Sequence, residues 1–438
     1  MTPQSTATHS YPPASLAWYA TFLLTVAYTF SFIDRQIVNL LVQPIQRDLN
    51  LSDSSISLLQ GFAFVLPYIL LSVPLGRWVD RSGRIRILTL GVIFWSLACV
   101  ACGLSRNYGQ LLLARMGVGA GEAALTPASW SLLADYFPED RRSFPISCFL
   151  MGPYIGAGLA MILGGEVIQW AESVGPVTLP LIGNLAPWQL TFILVGLPGA
   201  LVATAIMSLR EPDRSERLSE NREGSVPWRE VWQYLGRHWR MYCGLLLGPA
   251  FMVVVLYALQ SWVPTLMVRV HGLGIAEVGR SYGIIALLAG SLGVLCGPVL
   301  GRKLAAMGYR DYPLRIGLIA AVALLPATVV AGTVQSTFLT WVFVALSSFL
   351  VTLPLALFAA GLQSATPNEM RGIVAGLYVL SVNLIGMGLA PMAVALITDF
   401  VFADPQAVGK SIAMVAVLAT PLSVVFFVLG MNDYRRIT

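Results

Sequence analysis

Long apolar stretches dominate this chain and decide what it can fold into. Twelve of them are long enough to cross a bilayer as a helix, which takes about 20 apolar residues. Only 11% of the 438 residues are charged, whereas a typical soluble domain carries roughly 25%. The pattern predicts a polytopic membrane protein and excludes a soluble enzyme, a disordered chain and a nucleic-acid-binding protein.

The twelve stretches predict an all-α polytopic membrane protein whose helices form two pseudo-symmetric six-helix halves. The predicted helices are 16–42, 54–78, 85–105, 108–136, 142–171, 187–209, 241–268, 275–303, 313–334, 337–365, 369–401 and 408–430. The corresponding regions are a disordered tail (1–15), a first half (16–209), a linker (210–240), a second half (241–430) and a final tail (431–438).

Basic residues are divided unevenly between the two sides of this layout. With the N-terminus inside, the cytoplasmic segments hold 20 of the 27 Lys and Arg residues and the outer segments hold four. Lys and Arg concentrate in the cytoplasmic loops of membrane proteins. We therefore predict that both termini are cytoplasmic. Short loops and the lack of a cleavable signal suit a prokaryotic inner membrane.

The second part of the linker predicts an amphipathic helix. Trp228, Trp232, Leu235 and Trp239 recur at intervals of four, three and four residues, and arginines occupy other positions. Such a helix is expected to lie on the cytoplasmic membrane surface. Binding of a partner protein is the alternative.

Two loop motifs occur once in each half. The segment 76–81 corresponds to 297–302, and 138–142 corresponds to 367–371, at offsets of 221 and 229 residues. Two similar six-helix halves are a known transporter plan, in which the substrate site lies at their interface near the middle of the membrane.

The segment Gly76-Arg-Trp-Val-Asp80-Arg81-Ser-Gly83-Arg84 resembles the signature loop of the major facilitator superfamily. A glycine at 76 would allow close helix approach, a glycine at 83 would allow a tight turn, and Asp80 would accept hydrogen bonds that latch the cytoplasmic side. The second half has Gly301 in place of Asp80, so we expect a weaker latch there. The residues assigned to this cytoplasmic gate are Gly76, Asp80, Arg81, Gly83, Arg84, Arg142 and Arg371.

Four charged residues lie deep inside the first and fourth predicted helices, away from the cytoplasmic ends. Asp34 and Arg35 are adjacent, and Arg115 and Glu122 are seven residues apart on one helix face. A lone charge near a helix centre costs at least about 2.5–3.5 kcal/mol, so the four should pair with each other or face a water-filled cavity. We assign proton coupling to Glu122 and Asp34, and binding of an anionic substrate to Arg35 and Arg115. A static ion-pair network is the alternative.

Polar residues in the second half are expected to complete the cavity. Tyr257 and Gln260 lie in the seventh predicted helix, and Tyr378 and Asn383 lie in the eleventh. We assign all four to substrate binding.

Sites for other chemistry are absent from the sequence. No cluster has metal-ligand spacing, and no nucleophile elbow or P-loop pattern occurs. We therefore expect neither a cofactor nor an enzymatic activity. The expected partners are a small-molecule or lipid substrate, protons and membrane lipids, without nucleic acid. We expect a monomer, since one chain supplies both halves of the pathway.

A finer resemblance is carried by the segments Phe32-Ile33-Asp34-Arg35, Leu58-Leu59-Gln60, Phe94-Trp95-Ser96, Gly119-Ala-Gly121-Glu122-Ala123, Pro127 and Asp135-Tyr-Phe137. In these segments the chain resembles the Spinster family of the superfamily. The resemblance implies a proton-coupled, alternating-access transporter of an anionic amphipathic solute, such as a lysolipid or a sphingoid phosphate. The second half matches only as a generic facilitator half, so a small organic anion such as a carboxylate is the alternative, and a non-transporting solute sensor is a remote one.

Overall fold

The computed structural model describes residues 11–138, 141–179, 183–212, 228–367 and 370–437. Within these ranges the chain is helical apart from short connections and one β-hairpin. Eleven helical segments are long and apolar enough to cross a membrane. The tail 1–10 and the linker segment 213–227 lie outside the described residues.

The first half contains six spans, which we number 1–6 in chain order. Span 1 is helix α1 with a short 3₁₀ extension, Ile37–Asn39. A two-stranded antiparallel hairpin, β1 (Val177–Leu179) and β2 (Gly183–Leu185), separates spans 5 and 6. The helices of this half are α1 (Ala14–Gln36), α2 (Val42–Leu49), α3 (Asp53–Gln60), α4 (Phe62–Arg81), α5 (Arg84–Leu104), α6 (Tyr108–Glu122), α7 (Leu125–Tyr136), α8 (Ser143–Val174), α9 (Pro187–Gly196) and α10 (Pro198–Met207).

The fourth predicted helix is divided into two pieces. Helix α6 ends at Glu122 and α7 begins at Leu125, with a turn between them. Neither piece alone is long enough to be counted among the eleven spanning segments. Together they cover 108–136 and form span 4, so the twelve-helix plan holds with a break directly after Glu122.

The second half contains the linker helix and spans 7–12. Spans 8 and 11 contain π-helical turns, Ala286–Gly290, Val382–Leu389 and Ile397–Phe402, and the final helix continues to Ile437, past the predicted end at 430. The helices are α11 (Trp228–Arg237), α12 (Trp239–Arg269), α13 (Ile275–Ile285), α14 (Ser291–Ala306), α15 (Tyr312–Thr333), α16 (Thr337–Thr352), α17 (Leu355–Ser364), α18 (Arg371–Ser381), α19 (Ala390–Leu396) and α20 (Val408–Ile437).

The spans end on two faces of the molecule. The face that carries the linker, the loops 2–3, 4–5, 8–9 and 10–11 and the C-terminus is called the linker face. The face that carries the remaining loops is called the far face. The sequence predicts that the linker face is cytoplasmic.

Small residues bring the two halves into close contact. A Cβ atom at Gly279 in span 8 would lie 2.3 Å from the Met161 carbonyl oxygen in span 5. A Cβ atom at Gly61, where α3 meets α4, would lie 2.8 Å from the Gly388 carbonyl oxygen in the π segment of span 11. Because nothing larger than glycine fits these positions, the halves approach backbone to backbone.

The linker helix α11 differs in one respect from the prediction. Val231 and Leu235 are buried against the protein, whereas Trp232 and Trp239 are exposed. The prediction placed Leu235 on the same face as the tryptophans. In the structure Leu235 instead packs against the second half, and the tryptophans lie on the exposed side.

Candidate functional site between the two halves

Arg35 and Glu122 form a buried ion pair between spans 1 and 4. Arg35 Nη2 lies 2.7 Å from Glu122 Oε2, and Ser31 Oγ donates a hydrogen bond to the same oxygen at 2.6 Å. The exposed fractions of Arg35 and Glu122 are 7% and 1%. Glu122 Oε1 and Arg35 Nε have no hydrogen-bond partner among the described residues, so each group keeps bonding capacity for a proton or a ligand.

Aromatic rings from spans 1 and 2 surround the Arg35 guanidinium. Its central carbon lies 4.4 Å from the Phe32 ring centre, 4.1 Å from that of Phe64 and 5.6 Å from that of Tyr68. Such cation–π contacts stabilise a desolvated cation by about 2 kcal/mol or more. The guanidinium is therefore held beside Glu122 by ring packing as well as by charge.

Arg115 binds backbone carbonyls near the ends of helices α1 and α3. Its guanidinium donates to the carbonyl oxygens of Asp34 at 3.0 Å, Arg35 at 3.3 Å and Leu59 at 3.4 Å, and the residue is fully buried. The last carbonyls of a helix carry partial negative charge. Arg115 thus fixes the backbone of the two residues that carry the Asp34 and Arg35 side chains.

Asp34 is buried next to span 3. Its exposed fraction is 2%, and its Oδ1 atom accepts a hydrogen bond from Cys99 Sγ at 3.6 Å. Of the four intramembrane charges, Arg35 and Glu122 pair directly, while Arg115 reaches Asp34 through its backbone.

Two of the four residues assigned to the second half lie next to this centre. Tyr257 is within electrostatic range of Arg35, and Gln260 Oε1 accepts from Gln36 Nε2 at 3.0 Å. The other two residues, Tyr378 and Asn383, have their partners elsewhere. Tyr378 interacts with Tyr154 of span 5, and Asn383 donates to Val379 O of its own helix at 2.9 Å.

A layer of buried amides joins the halves on the far-face side of the ion pair. Besides the Gln36–Gln260 bond, Asn39 Nδ2 donates to Gln36 Oε1 at 2.6 Å. Gln60 Nε2 donates to Asn39 Oδ1 at 3.0 Å and to the Ser261 carbonyl at 3.1 Å. The last turn of span 1, which carries Arg35, is therefore hydrogen-bonded directly to span 7.

A second layer, which we call the far-face clasp, joins the halves at the surface. Arg269 of span 7 makes two 2.7 Å hydrogen bonds to the two carboxylate oxygens of Asp53 and a third to Gln46 Oε1. The Asp53 side chain is 3% exposed. The backbone nitrogen and hydroxyl of Ser54 donate to Asp399 Oδ2 at 2.8 and 2.6 Å. These contacts close the far face.

At the linker face, Arg84 bonds to residues of the first half and of the adjoining start of the linker. Its guanidinium pairs with Asp135 and with Glu211 at 2.9 Å. The Glu211 carboxylate also accepts from the backbone nitrogens of Arg84 and Ile85 at 2.9 and 3.2 Å, and so caps the start of α5. The sequence assigned Arg84 to a gate, and in this structure it ties spans 3, 4 and 6 together.

Asp311 holds the matching position in the second half. It is 1% exposed and pairs with Arg315 at 3.2 Å and with Arg435 at 2.8 Å. The buried central residue is thus acidic in the second half, where it is Asp311, and basic in the first half, where it is Arg84.

The other gate residues lie as follows. Arg142 Nε donates to the Phe137 carbonyl at 2.9 Å, and Arg371 Nε donates to the Gln363 and Thr366 carbonyls at 2.8 and 3.1 Å, so each closes its own loop. Arg81 ends α4 and is exposed. The structure describes the backbone of Asp80 as part of α4 but does not describe its side chain.

The sequence suggested close helix approach at Gly76 and a tight turn at Gly83, and this conformation requires neither. A Cβ atom at Gly76 would lie 3.9 Å from its nearest neighbour, Pro127, which is ordinary contact. Gly83 has a φ of −64°, which any residue adopts. In this conformation the loop therefore requires neither close approach at Gly76 nor special backbone freedom at Gly83.

Several residues of the site were not assigned from the sequence. Phe64 and Tyr68 are four residues apart on one helix face, a spacing that could have indicated them. Gln36, Asn39 and Gln60 are polar within apolar stretches, which was the available signal for the amide layer. Asp53 and Arg269 lie at span ends, where solvated charges are expected, and nothing in the sequence pairs them.

The family follows from comparison with known proteins. The family model described as Major Facilitator Superfamily matches residues 24–391. The chain belongs to this superfamily. It is a multi-pass integral membrane protein, and membership implies a small-molecule substrate.

Curated relatives and a solved structure narrow the comparison. An MFS-type efflux pump of Mycolicibacterium smegmatis is 28% identical over 96% of this chain and 94% of its own. Protein spinster homolog 3 of Mus musculus is 27% identical over 90% and 77%. A bacterial homolog of the human lysosomal transporter Spinster, crystallised inward-facing and unoccupied, superposes with a TM-score of 0.77 at 27% identity over 97% of both chains. The resemblance to Spinster transporters is confirmed.

Organic-anion transporters are also among the relatives. The hexuronate transporter of Escherichia coli (strain K12) is 25% identical over 65% of each chain.

Proposed function

We propose that this protein is a secondary active transporter that works by alternating access, is proton-coupled and moves an anionic amphipathic solute such as a lysolipid or a sphingoid phosphate. The observation that carries the proposal is the buried Arg35–Glu122 pair, whose neighbour Gln36 donates a hydrogen bond to Gln260 of the other half. The Spinster resemblance supports the class of cargo.

The chemistry of the ion pair supports coupling between a proton and an anion. Ionised Glu122 neutralises Arg35, so an anionic group gains little from binding there. Protonation of Glu122 would remove its charge and leave the guanidinium available to an anion. Binding of proton and anion would then be mutually favourable, which is the thermodynamic condition for moving both together. Asp34 is a second candidate for the proton.

The contacts between the halves support the assignment of this conformation to one state of the proposed transport cycle. The amide layer and the far-face clasp join the halves on one side. On the other side, the bonds that Arg84, Asp311 and Arg371 make among the described residues do not join one half to the other. With the linker face in the cytoplasm of a prokaryotic cell, this is an inward-facing arrangement. Breaking the clasp while closing the linker face would complete alternating access.

A small organic anion is the second candidate substrate. The hexuronate transporter among the relatives supports it, and a carboxylate would pair with Arg35 as well as a phosphate would. A ligand-binding screen in detergent separates the two candidates by comparing lysolipids with hexuronates. We expect a lysolipid to bind and Arg35→Ala to weaken its binding at least tenfold. Binding of hexuronates alone would favour the alternative, and binding unaffected by Arg35→Ala would remove Arg35 from the site.

Proton coupling is tested with the Glu122→Gln variant in proteoliposomes. We expect uptake by the wild type to respond to an imposed pH gradient and uptake by the variant to lose that response, because glutamine cannot titrate. The control is Glu172→Gln, the same change at an exposed position of span 5, which should keep the response. A Glu122→Gln protein that still responds to the gradient would rule out this residue as the proton carrier.

A further inference from the structure

The linker helix α11 presents one face outward from the protein. Val231 and Leu235 pack against the second half with exposed fractions of 0% and 8%. Trp232 on the outward face is 59% exposed, and Trp239, the first residue of span 7, is 50% exposed. A soluble surface would not favour two large indole rings in these positions.

Basic residues accompany these tryptophans. Arg229, Arg237 and Arg240 are exposed, and Glu230 is the one acidic residue among positions 228–240. The Arg240 guanidinium lies 5.5 Å from the Trp239 ring centre. The outward surface therefore combines indole rings with a net positive charge.

The position of α11 places this surface at the membrane boundary. Helix α11 ends at Arg237, and α12, which is span 7, begins at Trp239. The ring of Tyr234 packs at 6.2 Å against that of Tyr242 in span 7, which holds α11 against the start of the span. Tryptophan and arginine at this depth meet lipid headgroups rather than acyl chains or bulk water.

We propose that the surface formed by Arg229, Trp232, Arg237, Trp239 and Arg240 binds the headgroups of anionic phospholipids in the leaflet at the linker face. Indole rings insert at the headgroup level, and arginines pair with lipid phosphates. A protein partner fits less well, because the surface adjoins a membrane span and its two tryptophans are at the depth of the headgroups.

A bound lipid would act on the second half of the transporter. Tyr242, which packs on Tyr234, hydrogen-bonds through its hydroxyl to Thr366 Oγ1 at 3.1 Å. The Thr366 carbonyl accepts from Arg371 at 3.1 Å, where span 11 begins. Lipid held at α11 therefore fixes the linker-face ends of spans 7 and 11 relative to the bilayer.

Native mass spectrometry of the full-length chain in detergent tests the proposal. The protein is titrated with dioctanoyl phosphatidylglycerol and, separately, with dioctanoyl phosphatidylcholine. We expect the wild type to prefer phosphatidylglycerol. The double variant Arg229→Gln/Arg237→Gln should lose most of that preference, on the order of fivefold for each arginine removed. Trp232→Ala should weaken binding of both lipids.

The matched control removes two basic charges elsewhere on the linker face. Arg302 and Lys303 are exposed at the end of span 8, and the variant Arg302→Gln/Lys303→Gln should keep the preference. An equal loss in the control would mean that net charge alone attracts the lipid, which overturns the proposal. Equal binding of the two lipids by the wild type, as expected if α11 serves a protein partner, overturns it as well. Because the readout is lipid binding, the result is independent of whether the transport proposal holds.

Discussion

At the scale of single residues, Arg115 illustrates how a membrane protein retains a buried cation. The sequence predicts that it pairs with an acid or anchors an anion. In the structure its donors reach three backbone carbonyls, near the ends of α1 and α3, where the partial charge is negative. The residue is thus placed to position Asp34 and Arg35.

The Arg115→Lys variant tests this positioning role. A single ammonium group cannot reach three carbonyls in the geometry of a guanidinium, so we expect a loss of about 2–3 kcal/mol in the free energy of unfolding. Thermal unfolding in detergent measures it. Arg47→Lys, an exposed change at the far face, should be neutral. Unchanged stability of Arg115→Lys together with lost substrate binding would favour the anion-anchor role instead.

The sequence identified the neighbourhood of the intramembrane charges but not the atoms that bond. Counting residues from the helix ends placed Asp34 and Arg115 at similar depth, and they are adjacent. This count did not show that Arg35 pairs with Glu122 while Arg115 donates hydrogen bonds to backbone carbonyls, because the direction of a side chain around a helix depends on how the helices pack. The rings around Arg35 were missed for the same reason.

At the scale of helices, glycines set how closely spans 2, 3 and 4 approach. A Cβ atom at Gly119 would lie 2.3 Å from the Phe64 carbonyl oxygen, and one at Gly121 would lie 2.7 Å from the Trp95 backbone nitrogen. The spacing of these glycines predicted close helix contact. Phe64, held by this contact, is the ring nearest to Arg35, so the glycine contact also shapes the site.

The Gly119→Ala variant should separate spans 2 and 4. Because the obstructing atom is backbone, it cannot move aside like a flexible side chain, and we expect a loss of about 1–3 kcal/mol. A lowered unfolding temperature would report it. Gly376→Ala in α18, where no atom lies within 4 Å, should leave stability unchanged or slightly raised. Equal unfolding temperatures for the two variants would contradict the packing argument.

The irregular parts of the helices could not be predicted from the sequence. The break after Glu122 falls within an Ala- and Gly-rich run that is equally compatible with a continuous helix. The π segments of spans 8 and 11 are likewise set by packing against the other half, as at Gly61 and Gly388. Such departures from regular helix cluster at functional sites, and here one of them adjoins Glu122.

At the scale of the whole molecule, the proposed transport cycle would depend on the far-face clasp to set which side of the transporter opens. Removing one partner of a buried pair costs about 3–5 kcal/mol, and about 5.5 kcal/mol moves a two-state equilibrium from 1:99 to 99:1. Loss of one partner of the Asp53–Arg269 pair would therefore supply more than half of the free energy needed to reverse such a balance. The twelve-helix plan could be predicted from the sequence, whereas the far-face contacts could not, since they join residues of different halves that no sequence pattern pairs.

The Asp53→Asn variant should shift the population toward a state open at the far face. Spin labels at Arg47 and Gln406, both exposed at that face, report the opening, and we expect a longer mean distance in the variant. Glu277→Gln, an exposed acid on the same face, should leave the distance distribution unchanged. Identical distributions in wild type and Asp53→Asn would show that the pair does not hold the face closed.

The opposite signs of the two linker-face centres bear on how the chain is assembled. Arg84 binds Asp135 and Glu211, whereas Asp311 binds Arg315 and Arg435, so each centre also attracts the other. Synthesis from the N-terminus produces Glu211 one hundred residues before Asp311, and N-terminal units fold first as a chain emerges. We therefore expect Arg84 to have its partners when the ribosome adds Asp311, so that translation order disfavours pairing between the two centres.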